Sequence, residues 1–275
     1  METFTIAFKG KTMIPKVIHY CWFGGKEKPE DVKRYIASWK QYCPDYEIKE
    51  WNESNFDVHE NDYCQEAYEA KKWAFVTDYV RLKVLYEYGG IYMDTDVEVV
   101  KPLEPLLEYD AVSGYESETH IPTGTMGACK GNEWIGLLLH DYDNRHFLKK
   151  NGLFDMTTNV QVITKLTIKK YNLTLNGEEI HFGKNMVILP LDYLCAKHWD
   201  TREVNITPNT YTIHHFSGSW VSEEMKRYNS KIKFYYEHYT NIGIPSKLAF
   251  YLCRVKATYQ MYGFKYLIKK IQNKM

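Results

Sequence analysis

No stretch of this 275-residue chain stays apolar for the roughly 18 residues that a membrane-spanning helix needs, so the sequence offers no span. The N-terminus, METFTIAFKGKTMIPK, lacks a basic segment followed by a long apolar one, which argues against a secretory signal. The six cysteines (Cys21, Cys43, Cys64, Cys129, Cys195 and Cys253) form no C-x-x-C pair. Scattered in this way, they read as reduced, buried thiols of a cytoplasmic protein, neither a zinc site nor a disulfide framework. Net charge is missing too. The 35 basic and 35 acidic residues cancel, which removes the broad basic footprint of a nucleic-acid binder. No internal repeat or low-complexity linker is visible. What remains is an ordinary globular composition, 44% hydrophobic and 25% charged, long enough for one sizeable core.

The most informative stretch is Trp73 to Val100, WAFVTDYVRLKVLYEYGGIYMDTDVEVV. Apolar residues at helical spacing run from Phe75 to Leu85, and Gly89-Gly90 supplies the left-handed backbone that ends a helix. A short apolar strand, Ile91 to Met93, then meets Asp94-Thr95-Asp96. Helix, buried strand and strand-end carboxylates are the layout of an α/β site, where ligands gather at the carboxyl ends of strands. Two aspartates at i and i+2 in a continuing strand share a face and repel unless protons or a cation intervene. Such hard oxygen donors suit Mg²⁺ or Mn²⁺ carrying phosphate oxygens. On the preceding helix Asp78 and Arg81 stand three apart and share a face, as an ion pair or a clamp on a ligand requires.

The set Ala74, Thr77-Asp78, Arg81, Leu85, Gly89-Gly90, Tyr92, Asp94 and Asp96 resembles the DxD sugar-binding region of glycosyltransferase family 32. That family includes bacterial capsular-polysaccharide transferases and fungal mannosyltransferases, and the same spacing occurs in the glucosyltransferase domains of the large clostridial toxins. The resemblance covers residues 14–220 and implies an α/β fold of the GT-A type, a Rossmann-like mixed sheet flanked by helices. Upstream, VIHYCWFGG is similar to the family's IHxxWxGG, which gives Trp22 the role of stacking on the nucleotide base; His19 reads as a satisfied core histidine. Asp78 and Arg81 are then expected to hold ribose or sugar hydroxyls, and Tyr92 to shape the nucleotide pocket. Thr158-Asn159 stands where the family often has Gly-Pro, a departure from its pattern. Near the end, YTIHHFSGSW aligned on Trp220 puts His215 at the third metal position beside Asp94 and Asp96, with Trp220 lining the cofactor site and His214 packed on the other face.

Strand-like and helical stretches bracket this centre. Pro15–Phe23 and Tyr46–Trp51 read as parallel strands about a helix at Pro29–Tyr42. Further strands are expected at 111–115, 123–129, 187–194 and 211–215, and helices at 133–142 and after a loop within 154–168. From Pro245 the composition changes: seven basic residues, no acidic one, and many aromatics. This reads as a basic amphipathic helical tail, residues 245–275, suited to anionic lipid, after a catalytic domain at 1–244.

The resemblance thus implies a retaining, metal-dependent hexosyltransferase. Its donor would be a nucleotide diphosphate sugar, a UDP-hexose by analogy with the bacterial and toxin members. Its acceptor would be a glycan hydroxyl, lipid-linked, in capsule or cell-surface polysaccharide synthesis at the inner face of the membrane. Mn²⁺ or Mg²⁺ is the implied cofactor. A GDP-mannose-dependent mannosyltransferase and a catalytically silent nucleotide-sugar binder are the alternatives. A pyrophosphorylase is disfavoured, because the Ile14–Gly25 stretch lacks a Gly-rich loop with Arg and Lys.

Overall fold

A computed structural model of the chain describes residues 13–122, 124–199, 201–218 and 223–272. The chain opens as expected, with β1 (Val17–Cys21), α1 (Glu30–Tyr42) and β2 (Glu47–Trp51) forming a parallel βαβ unit. α2 (Asp62–Glu69) and α3 (Trp73–Tyr88) lead into β3 (Gly90–Met93), the central strand of the site. Then follow β4 (Val97–Val99), a 3₁₀ turn, β5 (Ala111–Gly114), β6 (Thr125–Ala128), α4 (Glu133–His140) and α5 (Asn159–Tyr171). β7 (Ile180–Phe182), β8 (Met186–Leu189), the short helix α6 (Leu191–Leu194) and β9 (Thr212–His214) complete this part.

Seven strands form one mixed sheet in the order β2-β1-β3-β6-β5-β8-β7, in which β6 and β7 run antiparallel to the rest. Side chains leave a strand alternately to its two faces, so the sheet has two cores. Tyr92, Met126 and Ala128 pack with α2, α3, α4 and α5 on one face. Ile91, Met93 and Val112 pack with Trp39 of α1, with Val97 and Val99 of β4, and with Leu194 of α6 on the other. This is the α/β architecture of a mixed sheet flanked by helices.

Three expectations shift. The strand expected at 187–194 stops at Leu189, because Pro190 cannot donate to a ladder and α6 begins after it. Asp94-Thr95-Asp96 is a turn closed by Val97 N–H to Asp94 O at 3.0 Å, so β4 leaves β3's sheet and pairs antiparallel with β9. Third, the chain divides into compact units at Met1–Ser217 and Gly218–Met275, earlier than the boundary at 244. The second unit holds α7 (Glu223–Asn241), which is too polar to stand out in the sequence, and α8 (Ser246–Gln272), which kinks at Gly263 where φ is 78°. Residue 244 falls in the turn joining these two helices. No helix among the described residues is long and apolar enough to cross a membrane.

Candidate active site

The site is assembled at the carboxyl end of β3. α3 delivers its chain into that strand through Gly89 (φ 69°) and Gly90 (φ 106°). A Cβ on Gly90 would sit 2.7 Å from Val17 O, so the close approach of β3 to β1 requires glycine there. β3 is anchored on its other side by β6, and Asp94 N–H donates to Gly124 O at 2.8 Å. The outgoing β4 is braced by α1: Trp39 Nε1 donates to Val97 O at 2.8 Å and Val99 N–H to Ser38 Oγ at 2.9 Å. Both ends of the Asp94–Asp96 turn are thus fixed before any ligand arrives.

Beneath the turn lies a buried charge network. Arg81, 4% exposed, points Nη2 at Asp78 Oδ1 (3.3 Å) and Nη1 at Asp94 Oδ1 (3.2 Å), while its Nε donates to Thr77 O at 3.1 Å. The hydroxyl of Tyr92, fully buried, donates to Asp94 Oδ1 at 3.1 Å, and its ring lies under the Arg81 guanidinium. Burial lifts the Asp78 carboxyl to about 6 against the opposing pull of Arg81. Asn159 Nδ2 donates to Asp78 O at 3.5 Å, so the position where the family pattern departs still packs on the clamp. Asp78 and Arg81 thus lie buried beneath the turn, and Tyr92 braces Asp94 there.

Above the turn, Asp94, Asp96 and His214 each offer a donor atom, and all of these lie within 4.8 Å of one another. His214 Nε2 is 3.3 Å from Asp96 Oδ1, and Ser217 N–H donates to Asp96 Oδ2 at 2.7 Å. Burial would raise the Asp96 carboxyl, but His214 and Ser217 N–H outweigh it and hold the group at about 2. Burial would likewise lower His214, yet the Asp96 carboxylate holds it well above the usual imidazole range. His214 Nδ1 is a buried atom with no hydrogen-bond partner among the described residues. Two carboxylates and an imidazole are a donor set that fits Mn²⁺ or Mg²⁺.

The histidine in this group is His214, not His215. β9 pairs His214 with Val97, which turns its ring onto the DxD turn and sends the next side chain to the opposite face. His215 instead contacts Glu98 Oε2 at 2.8 Å and stacks on Tyr35 of α1 with ring centres 4.5 Å apart. It ties the β4–β9 ribbon to α1. Trp22 follows β1 at the same sheet edge, half-buried, with Nε1 donating to Lys26 O at 2.6 Å and Lys28 Nζ 5.7 Å from its ring. Trp220 lies outside the described residues. A cleft of about 820 Å³ between α4 and α5 holds none of these groups, and its Arg145 and Asp155 satisfy each other at 2.8 Å.

Residues 29–113, which include the α3–β3 hinge and the DxD turn, match the family model described as "Glycosyltransferase sugar-binding region containing DXD motif". Two curated fungal proteins are also similar to part of the chain. Inositol phosphoceramide mannosyltransferase 3 of Schizosaccharomyces pombe is 33% identical over 126 residues, 44% of this chain and 35% of that protein. Mannosyl phosphorylinositol ceramide synthase SUR1 of Saccharomyces cerevisiae is 28% identical over 124 residues, 42% of this chain and 31% of that protein. The chain therefore spans about a third of the length of these relatives. Among solved structures, one titled "PaToxG Glycosyltransferase" shares 20% identity at a TM-score of 0.43, covering 57% of this chain and 70% of the other. That likeness is distant. The names of these two fungal relatives are a mannosyltransferase and a mannosyl phosphorylinositol ceramide synthase, whereas the capsule-type members set the sequence expectation of a UDP-hexose.

Proposed function

We propose that the chain is a GT-A glycosyltransferase moving a hexose from a nucleotide diphosphate sugar to a hydroxyl of a glycolipid acceptor. The observation that carries this is the grouping of Asp94, Asp96 and His214 at the carboxyl edge of the sheet, inside a stretch that matches a sugar-binding DXD region. Mannose from GDP-mannose is the favoured donor. The support is the names of the relatives, which point to mannosyl transfer onto inositol phosphoceramide; a UDP-hexose donor and a capsular acceptor have no comparable support.

Asp94, Asp96 and His214 would hold Mn²⁺ or Mg²⁺, which supplies positive charge to the departing diphosphate. Arg81, itself held by Asp78, and Tyr92 keep the Asp94 carboxylate in place, so this metal-binding oxygen donor is positioned in advance. Trp22 stacks on the base. Displacement sends the electron pair of the sugar–phosphate bond to the diphosphate as the acceptor oxygen bonds to the anomeric carbon and passes its proton to the departing phosphate oxygen, with retention as the family resemblance implies. The second unit supports work at a membrane: exposed Phe250, Tyr251 and Phe264 on α8 stand among exposed Arg254, Lys256 and Lys265. We place the protein on an anionic leaflet as a peripheral enzyme.

The test is turnover of GDP-mannose, UDP-glucose and UDP-galactose with Mn²⁺, with inositol phosphoceramide as acceptor. GDP-mannose should be consumed, and Asp96→Asn should lower turnover by roughly 10²–10³, the scale of losing one electrostatic stabiliser. A protein inert toward every donor, or an Asp96→Asn enzyme that keeps full rate in chelator, would overturn the reading.

A further inference from the structure

Glu116 is a carboxylate that nothing above uses. It follows β5 by two residues and opens a turn in which its N–H donates to His120 O at 2.9 Å. Its side chain is half-buried and makes no hydrogen bond or ion pair among the described residues. A partly desolvated carboxylate without a donor is unfavourable, and it is satisfied most simply by hydroxyl or N–H groups brought by a ligand. Burial pushes the group above the ordinary carboxylate range, and the charges it feels are those of His214, Asp94, His120 and Asp96. By the sheet order it stands just past β5, on the same carboxyl edge as the DxD turn.

The sheet order gives that position a meaning. Along the carboxyl edge the sequence β1-β3-β6-β5 places Trp22 after β1, Asp94 after β3 and Glu116 after β5. Neighbouring strands are about 4.8 Å apart, so the end of β5 lies about 10 Å beyond that of β3, on the side away from Trp22. A base over Trp22 and a diphosphate at the turn leave the sugar to extend toward β6 and β5. On β6, between the two, Thr125 is 3% exposed and its hydroxyl is buried without a partner among the described residues. The register of β3, β6 and β5 puts Thr125 opposite Met93 and on the sheet face shared by Gly114. Glu116 thus stands on the side toward which the sugar would extend, and an apolar ligand would leave its carboxylate unsatisfied.

We propose that Glu116 is a specificity-determining residue that accepts hydrogen bonds from hydroxyls of the transferred sugar. This inference rests on the glycosyltransferase reading and deepens it. Glu116 reads the sugar while Trp22 and the DxD turn read the nucleotide, so its loss separates the two affinities. The full chain, Glu116→Gln and Glu116→Ala are titrated by calorimetry with GDP and GDP-mannose, then UDP and UDP-glucose, in Mn²⁺. Nucleoside diphosphate affinity should stay within about twofold in both variants, which also shows that they fold. Affinity for the nucleotide sugar should fall ten- to a hundredfold in Glu116→Ala, the scale of a hydrogen bond to a charged group, and less in Glu116→Gln. An unchanged ratio of sugar-nucleotide to nucleotide affinity, or a parallel fall in both, overturns the role of Glu116 alone. A wild-type chain that binds neither GDP nor UDP overturns the glycosyltransferase reading with it.

Discussion

Adjacent side chains in a strand leave by opposite faces, so His214 and His215 meet different surroundings although one peptide bond joins them. The register of β9 against β4 decides which of the two sees Asp96, and that register depends on residues 97–99, more than a hundred positions away. No local pattern in HHF carries it, and alignment on the downstream tryptophan selects the wrong ring. By contrast the strand-end positions of Trp22, Asp94 and Asp96 are legible, because a strand-end motif places them whatever the rest of the chain does. The burial of Tyr92 and Arg81 was not legible, since it depends on how α3 packs over β3. The two histidines give a clean test. His214→Ala should abolish Mn²⁺ binding measured by electron paramagnetic resonance while the protein stays folded. His215→Ala should leave Mn²⁺ binding intact and cost about 1 kcal/mol of unfolding free energy, the scale of a lost ring stack and a partly exposed ion pair. Equal loss of Mn²⁺ binding in both variants would return the metal role to His215.

Among the elements, the joint between β1, α3 and β3 has the sharpest physical requirements. His19, 1% exposed, accepts from Trp51 Nε1 at Nδ1 (3.1 Å) and donates from Nε2 to Gly89 O (2.8 Å), which fixes a neutral ring in one tautomer. Burial lowers its pKa from 6.5 to about 4. The folded state thus holds fewer protons than the unfolded one between those values. The contribution is fully present above pH 6.5 and is lost as pH falls to 4, about 3 kcal/mol in all. His19→Gln keeps one donor and one acceptor without titrating. Its urea-unfolding free energy should therefore fall about 3 kcal/mol less than the wild type's between pH 7 and pH 4. Identical pH slopes would show that His19 ionises in the folded protein. Beside it, Gly90→Ala should destabilise by roughly 1–3 kcal/mol, because its backbone conformation and the Val17 carbonyl both exclude a side chain. Thermal unfolding measures this, and an unchanged midpoint would mean the β1–β3 contact relaxes easily. Elements of this kind were readable because their residues report local geometry. β7 was not: Ile-His-Phe is too short for alternation to show.

At the scale of the whole molecule, a net charge of zero hides a strong local imbalance. α8 carries no acidic residue, and apart from three glutamates on α7 the second unit is basic and aromatic. The sequence showed the charge but not the hairpin, since α7 is polar along most of its length and only its pairing with α8 makes it part of the same unit. A helical pair with Phe250, Tyr251, Phe264 and Ile268 exposed beside Arg254, Lys256 and Lys265 presents aromatic rings of the kind that settle at a headgroup boundary. Each cation near an anionic leaflet adds on the order of 1 kcal/mol, so these three suffice for measurable binding when the rings insert as well. The full chain should pellet with vesicles of phosphatidylcholine and phosphatidylglycerol, stay in the supernatant with phosphatidylcholine alone, and bind less in high salt. Replacing Arg254, Lys256 and Lys265 by Gln should remove most of the dependence on anionic lipid. Replacing Phe250, Tyr251 and Phe264 by Ser should weaken binding at every salt concentration. Neither set lies in the unit that carries the DxD turn, so hydrolysis of a soluble donor should persist in both. A wild-type chain that ignores anionic vesicles, or charge variants that pellet as it does, would assign this surface to a protein partner instead of a membrane.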